Sequence, residues 1–181
     1  MNCIALVAHA GTGKTTIANE FVDKLGYTKL TFAAPIKCTY RDIFGYAPNH
    51  DDPTDRTWMQ QFGTICRTVD ESVFIKLLVE AMQGMGHLTD KFVVDDCRYR
   101  NEAAYLRSVG FIIVKLTGRQ RSLSAEQKSH ASESEVDLIE PDLIVDNSGT
   151  VKQTMDELLR KLKLLDCGQS EIKFYGETEI E

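Results

Sequence analysis

Short apolar runs alternate along this chain with amphipathic stretches. Five of the runs have the length and composition of buried strands, at residues 3–7, 28–32, 91–96, 111–116 and 142–145. Between the first two, apolar residues recur at helical spacing from Ile17 to Leu25 and stop at Gly26, a residue typical of helix ends. Because strands alternate with helices, the pattern predicts a three-layer α/β fold with a mainly parallel five-stranded sheet and right-handed crossovers.

Further helical patterns divide the chain into regions. They predict a short helix that carries Lys37, and helices near residues 54–65, 70–82, 101–109 and 151–165. Helices between the second and third strands would form a substrate-binding insert at about 36–85. The polar, Ser-rich stretch at about 118–141 is expected to be a mobile lid. One domain would therefore cover residues 1–165, followed by an acidic tail at 166–181.

A phosphate-binding pattern joins the first strand to the first helix. Residues 8–15 fit G-x-x-x-x-G-K-[ST], with Ala8 in place of the first Gly. In this pattern backbone N–H groups surround a phosphate, the Lys reaches the β/γ-phosphates and the hydroxyl binds Mg²⁺. We therefore predict a nucleoside triphosphate site, with Lys14 as a catalytic residue. The residues expected to bind the triphosphate are Ala10, Gly11, Thr12, Gly13, Lys14, Thr15 and Thr16.

Composition excludes several classes of protein. The net charge of −6 argues against general nucleic-acid binding. No apolar run approaches the roughly 20 residues of a membrane span, and no signal peptide is apparent at the start. We therefore expect a cytoplasmic protein without a membrane or nucleic-acid partner. Five scattered cysteines without C-x-x-C spacing are expected to be reduced thiols.

Two aspartates, Asp95 and Asp96, end the apolar run of the third strand. A carboxylate at the carboxyl end of a parallel strand can hold Mg²⁺, directly or through water, beside the hydroxyl of the phosphate-binding loop. The sequence therefore predicts a metal site made by Thr15, Asp95 and Asp96. It does not decide which of the two carboxylates serves the metal.

Several arginines fall in or near predicted loops, where phosphoryl transfer would need cations around donor and acceptor phosphates. Arg98 directly follows the two aspartates and could clamp an acceptor phosphate with its guanidinium. The alternative is a structural ion pair of Arg98 with Asp95 or Glu102.

Three further candidates lie in the predicted lid. Arg119 and Arg121 could close over the transferring group as catalytic residues, although a solvated lid charge is the competing interpretation for each. His130 either contacts the substrate or lies on the surface of a short helix.

Five motifs in order carry a family resemblance. They are Phe-Ala-Ala-Pro-Ile-Lys at 32–37, the spaced run of Arg56, Met59, Gly63, Arg67, Asp70 and Phe74, Asp-Cys-Arg-Tyr-Arg-Asn-Glu at 96–102, His-Ala-Ser-Glu at 130–133, and Asp-Asn-Ser-Gly-Thr at 146–150. Together they resemble the bacteriophage deoxynucleoside monophosphate kinases. The resemblance extends from the phosphate-binding loop at residues 8–15, or P-loop, to about residue 165.

This resemblance implies a specific reaction. It implies an adenylate-kinase-like P-loop kinase fold that transfers the γ-phosphoryl of ATP, with Mg²⁺, to a deoxynucleoside 5′-monophosphate. It also implies a homodimer, and a host-cytoplasmic location if the chain is phage-encoded. The residues expected to bind the acceptor substrate are Lys37, Arg67, Asp96, Arg98 and His130.

Two alternatives remain open. The Arg-x-x-Met…Gly…Arg run and the Asp-x-Arg turn are also similar to animal-type phosphomevalonate kinases, so the reaction type is better supported than the acceptor. A nucleotide-binding module without turnover is the third interpretation, against which the loop arginines argue. The aromatic residues of the insert favour a base that can stack, although such residues are more often part of the core; they are Tyr40, Phe44, Trp58 and Phe62.

Overall fold

The computed structural model describes residues 2–49, 51–85, 90–118 and 135–172, with side chains as far as residue 165. Within these residues the strands are β1 (Cys3–Val7), β2 (Thr28–Leu30), β3 (Phe92–Cys97), β4 (Phe111–Thr117) and β5 (Leu143–Asp146). All the strand pairs are parallel, and the order across the sheet is β2-β3-β1-β4-β5. The predicted five-stranded parallel sheet is therefore confirmed, with β1 at its centre.

The described helices are α1 (Lys14–Leu25), α2 (Ala34–Phe44), α3 (Pro53–Val69), α4 (Val73–Met85), α5 (Arg100–Ser108) and α6 (Val151–Ile172). Helix α1 ends at Gly26, whose φ of 70° places it in the left-handed region that glycine favours. A capping box begins α6, because Gln153 N donates to Thr150 Oγ1 and Thr150 N donates to Gln153 Oε1. The backbone of α6 continues beyond residue 165 to Ile172, so the start of the predicted acidic tail is helical.

Alternation along β1 separates two cores on opposite faces of the sheet. Ile4 and Leu6 pack on the face covered by α1 and α6, in a core with Phe21 and Leu158. Ala5 and Val7 point to the other face, whose core includes residues of α2, α4 and α5. Helices thus cover both sides of a sheet with strands buried on both faces, which is the predicted three-layer arrangement.

The predicted lid region has two structural parts. Residues 119–134 lie outside the described residues, and Glu135–Leu138 form a 3₁₀ helix. Val136 and Ile139 are buried in the core beside α5. Two apolar side chains thus anchor this end of the predicted lid, whose bounds and mobility stay a prediction. Among the described residues, no helix has both the length and the apolar character needed to cross a membrane.

Candidate active site

The P-loop leaves the carboxyl end of the central strand β1 and leads into α1. Gly11 and Gly13 have φ values of 79° and 93°, a left-handed backbone that residues with a Cβ rarely adopt. The Lys14 Nζ turns back and donates hydrogen bonds to the carbonyls of Ala8 and His9. The methyl group of Ala8 is buried in the core beside α1, so the first position of the pattern accommodates Ala in place of Gly.

Asn147 fastens the P-loop from the turn between β5 and α6. Its Nδ2 donates a hydrogen bond to the carbonyl of Thr12, and its Oδ1 accepts one from Thr154 Oγ1 at 2.9 Å. The packing is tight, since a Cβ added to Gly13 would lie 2.9 Å from Asn147 Nδ2. Asn147 belongs to the Asp-Asn-Ser-Gly-Thr motif at 146–150, but the sequence did not predict a role for its side chain. The available signal was its place just after the last strand, at the sheet edge where the P-loop also lies.

An open cavity of about 560 Å³ lies at the carboxyl edge of the sheet, a size typical of small-molecule sites. The structure brings most of the predicted site residues to its walls. Those that line it are Ala10, Gly11, Gly13, Lys14, Thr15, Lys37, Arg67, Asp95, Asp96 and Arg98.

Five predicted site residues are not described as lining this cavity. Thr12 is buried, and its hydroxyl donates to the His9 carbonyl at 2.8 Å, so the side chain supports the loop. Thr16 is exposed on α1. Arg119, Arg121 and His130 lie outside the described residues.

The two aspartates that were predicted together have different surroundings. Asp95 is buried, and its Oδ2 lies 2.6 Å from the Nζ of Lys29 on β2. The carboxylate of Asp96 instead accepts hydrogen bonds from the N–H groups of Phe32 and Ala33, each at 2.9 Å, and from the Thr31 hydroxyl. Asp96 therefore holds the turn between β2 and α2.

The oxygen donors at the P-loop fit a magnesium ion. Thr15 presents a hydroxyl and Asp95 a carboxylate to the same cavity. Mg²⁺ is commonly held by one or two carboxylates together with waters and substrate phosphates. The described part of the chain contains no group of three or more His, Cys, Asp or Glu side chains placed to hold a metal.

Arg67 is held rigidly on the cavity wall. Its Nη2 lies 2.9 Å from Glu102 Oε1, and its guanidinium lies between two rings, 4.5 Å from the centroid of Phe74 and 4.0 Å from that of Tyr99. These contacts leave the Arg67 guanidinium little freedom to move beside the cavity. Asp95 pairs with Lys29 and Glu102 pairs with Arg67, so each carboxylate considered as a partner of Arg98 has another cation beside it.

Glu102 connects this wall to the turn after β3. Its Oε2 accepts the backbone N–H groups of Arg98 at 3.0 Å and Tyr99 at 3.1 Å. Burial raises the pKa of Glu102 to about 7, although the N–H group of Arg98 and the Arg67 guanidinium act in the opposite direction. One carboxyl group therefore positions both the Arg67 side chain and the backbone from which the Arg98 side chain projects.

The aromatic residues of the insert pack against one another and not against the cavity. Phe44 and Tyr40 of α2 contact Trp58, and Trp58 stacks on Phe62 with centroids 4.9 Å apart. None of the four is among the described residues that line the cavity. The expectation that they stack on a base is therefore wrong, because the apolar faces of α2 and α3 cover each other.

A second polar link joins the P-loop to the 3₁₀ helix. His9 Nε2 lies 3.1 Å from Asp137 Oδ1, and Lys115 Nζ lies 3.1 Å from the same oxygen. The side chain of His9 thus contacts the described end of the predicted lid. A contact across 128 positions leaves no local signal in the sequence, so the pattern of the P-loop does not predict this link.

Comparison with known proteins yields a family match. The model of the family described as deoxynucleotide monophosphate kinase matches residues 44–158, more than half of the chain. A protein of Acanthamoeba polyphaga mimivirus, provisionally named deoxynucleotide monophosphate kinase, is 25% identical over 190 residues. That alignment covers 88% of this chain and 95% of the viral protein.

Solved structures of several kinases share the fold. The dephospho-CoA kinase of Campylobacter jejuni matches with a TM-score of 0.53 and 16% identity, covering 93% of this chain and 98% of that one. The shikimate kinase of Aquifex aeolicus matches with a TM-score of 0.52 and 13% identity, covering 88% of this chain and 95% of that one. At such low identity these similarities show the P-loop kinase fold alone.

Proposed function

Because this chain belongs to the deoxynucleotide monophosphate kinase family, we propose that it transfers the γ-phosphoryl of ATP to the phosphate of a deoxynucleoside 5′-monophosphate. The observation that carries the proposal is one cavity lined by four cationic side chains. Lys14 comes from the P-loop, whereas Lys37, Arg67 and Arg98 come from α2, α3 and the turn after β3. Transfer between two phosphates requires this arrangement, whereas a nucleotide-binding module without turnover needs no cations around a second phosphate.

On the donor side, the triphosphate would lie against the N-terminus of α1, where unpaired N–H groups and the helix dipole favour negative charge. Lys14 would exchange its loop carbonyl partners for β- and γ-phosphate oxygens. Thr15 and Asp95 would hold Mg²⁺, which neutralises charge on the β- and γ-phosphates when bound. Asp95 is the better-placed carboxylate, because the oxygens of Asp96 already accept three hydrogen bonds from the β2–α2 turn.

On the acceptor side, Arg98, Arg67 and Lys37 would bind the phosphate of the monophosphate and align one of its oxygens with the γ-phosphorus. That phosphate is largely a dianion at neutral pH, so its oxygen can attack without a side-chain base. Arg67 suits this role because Glu102 and two aromatic rings hold it in place before the substrate arrives.

The proposal also includes sequence predictions that concern residues and properties outside the described structure. Arg119 and Arg121 would act from the lid on the transferring group, and His130 would contact the acceptor. A homodimer and a cytoplasmic location likewise stay predictions.

The test is a panel of acceptors in a coupled assay of ADP release from ATP. We expect turnover with at least one deoxynucleoside monophosphate, and its loss in the Lys14→Ala variant purified in the same way. The panel includes the ribonucleoside monophosphates and phosphomevalonate. Turnover of phosphomevalonate alone, or ATP binding without turnover of any acceptor, would contradict the proposed reaction.

A further inference from the structure

One face of helix α3 lines the acceptor half of the cavity. The residues on this face are Arg56, Met59, Gln60, Gly63 and Arg67. Their spacing of three and four residues places them in a single stripe along the helix. Arg67 lies near one end of the stripe, and Gln60 lies about two helical turns, or roughly 10 Å, closer to the N-terminus of α3. This separation suits a phosphate at Arg67 and a base near Gln60.

Gln60 carries hydrogen-bonding groups that are not used within the described protein. Its backbone carbonyl accepts from Thr64 Oγ1 at 2.9 Å, but its side-chain amide has no hydrogen-bond partner among the described residues. Two other neutral polar side chains on the cavity wall, those of Thr31 and Tyr99, are engaged within the protein. The Thr31 hydroxyl donates to Asp96, and the Tyr99 ring packs on Arg67. The Gln60 amide is thus available to a ligand.

Gly63 allows Ile36 of α2 and the Arg67 side chain to approach the middle of this stripe closely. A Cβ at Gly63 would lie 3.1 Å from Ile36 Cδ1 and 3.2 Å from Arg67 Nη1. A side chain there would therefore crowd the space next to Arg67.

We propose that Gln60 reads the base of the acceptor and determines which deoxynucleoside monophosphates are phosphorylated. This inference rests on the proposed function. An amide offers one acceptor and two donor hydrogens on a planar group that can turn over, so it can match a base edge that presents a neighbouring donor and acceptor. Met59, next to it, supplies an adaptable apolar contact for the ring.

The experiment compares two neighbouring glutamines. Gln60→Leu removes the amide at nearly constant size, and Gln60→Glu keeps an acceptor but removes the donor. The matched control is Gln61→Leu, because Gln61 is exposed on α3 and is not among the lining residues. For each protein, kcat/KM is measured with the four common deoxynucleoside monophosphates at saturating ATP, and thermal unfolding confirms that the variants are folded.

We expect Gln60→Leu to lower kcat/KM for the best acceptor about ten- to a hundredfold, and to narrow the ratios among bases. Gln60→Glu should change the order of preference, and Gln61→Leu should keep the wild-type ratios. If all acceptors lose the same factor, or the ratios do not change in Gln60→Leu, the inference is wrong while the proposed function stands. If the wild-type protein phosphorylates none of the nucleotides, both are wrong.

Discussion

The side-chain amide of Asn147 donates a hydrogen bond to the backbone carbonyl of Thr12, across 135 positions of the chain. This bond joins the turn after β5 to the middle of the P-loop. The Asn147 side chain is buried and also accepts from Thr154 of α6. The shape of the phosphate-binding loop therefore depends on a neighbouring strand and helix as well as on its own glycines.

Asn147→Ala should weaken ATP binding about tenfold, because the loop loses the bond that fixes its carbonyl and its N–H groups become less well aligned. Calorimetric titration of the variant with ATP measures this. Asn101→Ala is the matched control, since it also removes an amide-to-carbonyl bond, from Asn101 Nδ2 to Glu71 O at 3.2 Å, away from the P-loop. Equal ATP affinity in wild type and Asn147→Ala would show that the bond only supports folding.

Lys14→Ala should lower kcat by a factor of about 10² to 10³ or more, because the variant lacks the cation that meets charge on the β/γ-phosphates. The control is Lys24→Ala at the other end of α1, where the lysine is exposed and pairs with Glu20. Steady-state kinetics and thermal unfolding are measured for both. Near-normal kcat in folded Lys14→Ala would refute the assignment of the loop.

Arg98→Ala should raise the KM of the acceptor and also lower kcat, while ATP affinity without acceptor stays near the wild-type value. A clamp on the acceptor phosphate contributes both binding and alignment. Arg107→Ala is the control, since Arg107 pairs with Asp142 at 3.2 Å and is not among the described lining residues. A tenfold loss of ATP affinity with an unchanged acceptor KM would instead place Arg98 at the donor site.

Asp95→Asn should change the magnesium requirement of the reaction, whereas Asp96→Asn should change the thermal stability of the protein. Asp95→Asn should raise the Mg²⁺ concentration needed for half-maximal rate about tenfold or more, because an amide is a poorer ligand than a carboxylate. Asp96→Asn should lower the melting temperature by several degrees, since an amide cannot accept all the hydrogen bonds of the β2–α2 turn. Magnesium titrations and thermal melts of both variants test this pair. The reverse pattern would exchange the two roles.

Glu102 should make the protein less stable as the pH rises from about 4.5 to about 7. The folded carboxyl holds its proton more tightly than the unfolded one, because burial and the nearby Asp96 disfavour its charge more than Arg67 favours it. The contribution reaches about 3 kcal/mol of unfolding free energy. The side chain in Glu102→Gln does not titrate. The free energy of unfolding of this variant, relative to that of the wild type, should therefore increase as the pH rises from 5 to 8. Urea unfolding at several pH values measures the difference, and parallel curves would contradict the raised pKa.

Local patterns were sufficient to predict most of the secondary structure and the position of the P-loop between β1 and α1. The residues that form β1, the P-loop and α1 are adjacent in the chain, and helical spacing, Gly26 and the Lys-Thr pair all act within a few positions. The capping box at Thr150 is equally local. Local patterns do not show what a buried face packs against. For this reason the sequence could not show that Trp58 packs on its aromatic neighbours and not on a base.

The sequence by itself determined the parallel α/β fold, the P-loop and the supply of cations and carboxylates, since each depends on residue type and short spacing. Only the tertiary structure decided that Asp95 faces Lys29 while Asp96 holds a turn. It also decided that Glu102 fixes Arg67. These roles depend on the strand order β2-β3-β1-β4-β5, which brings together segments far apart in the chain. Such contacts arise from packing across the sheet and leave no periodic signal in the chain.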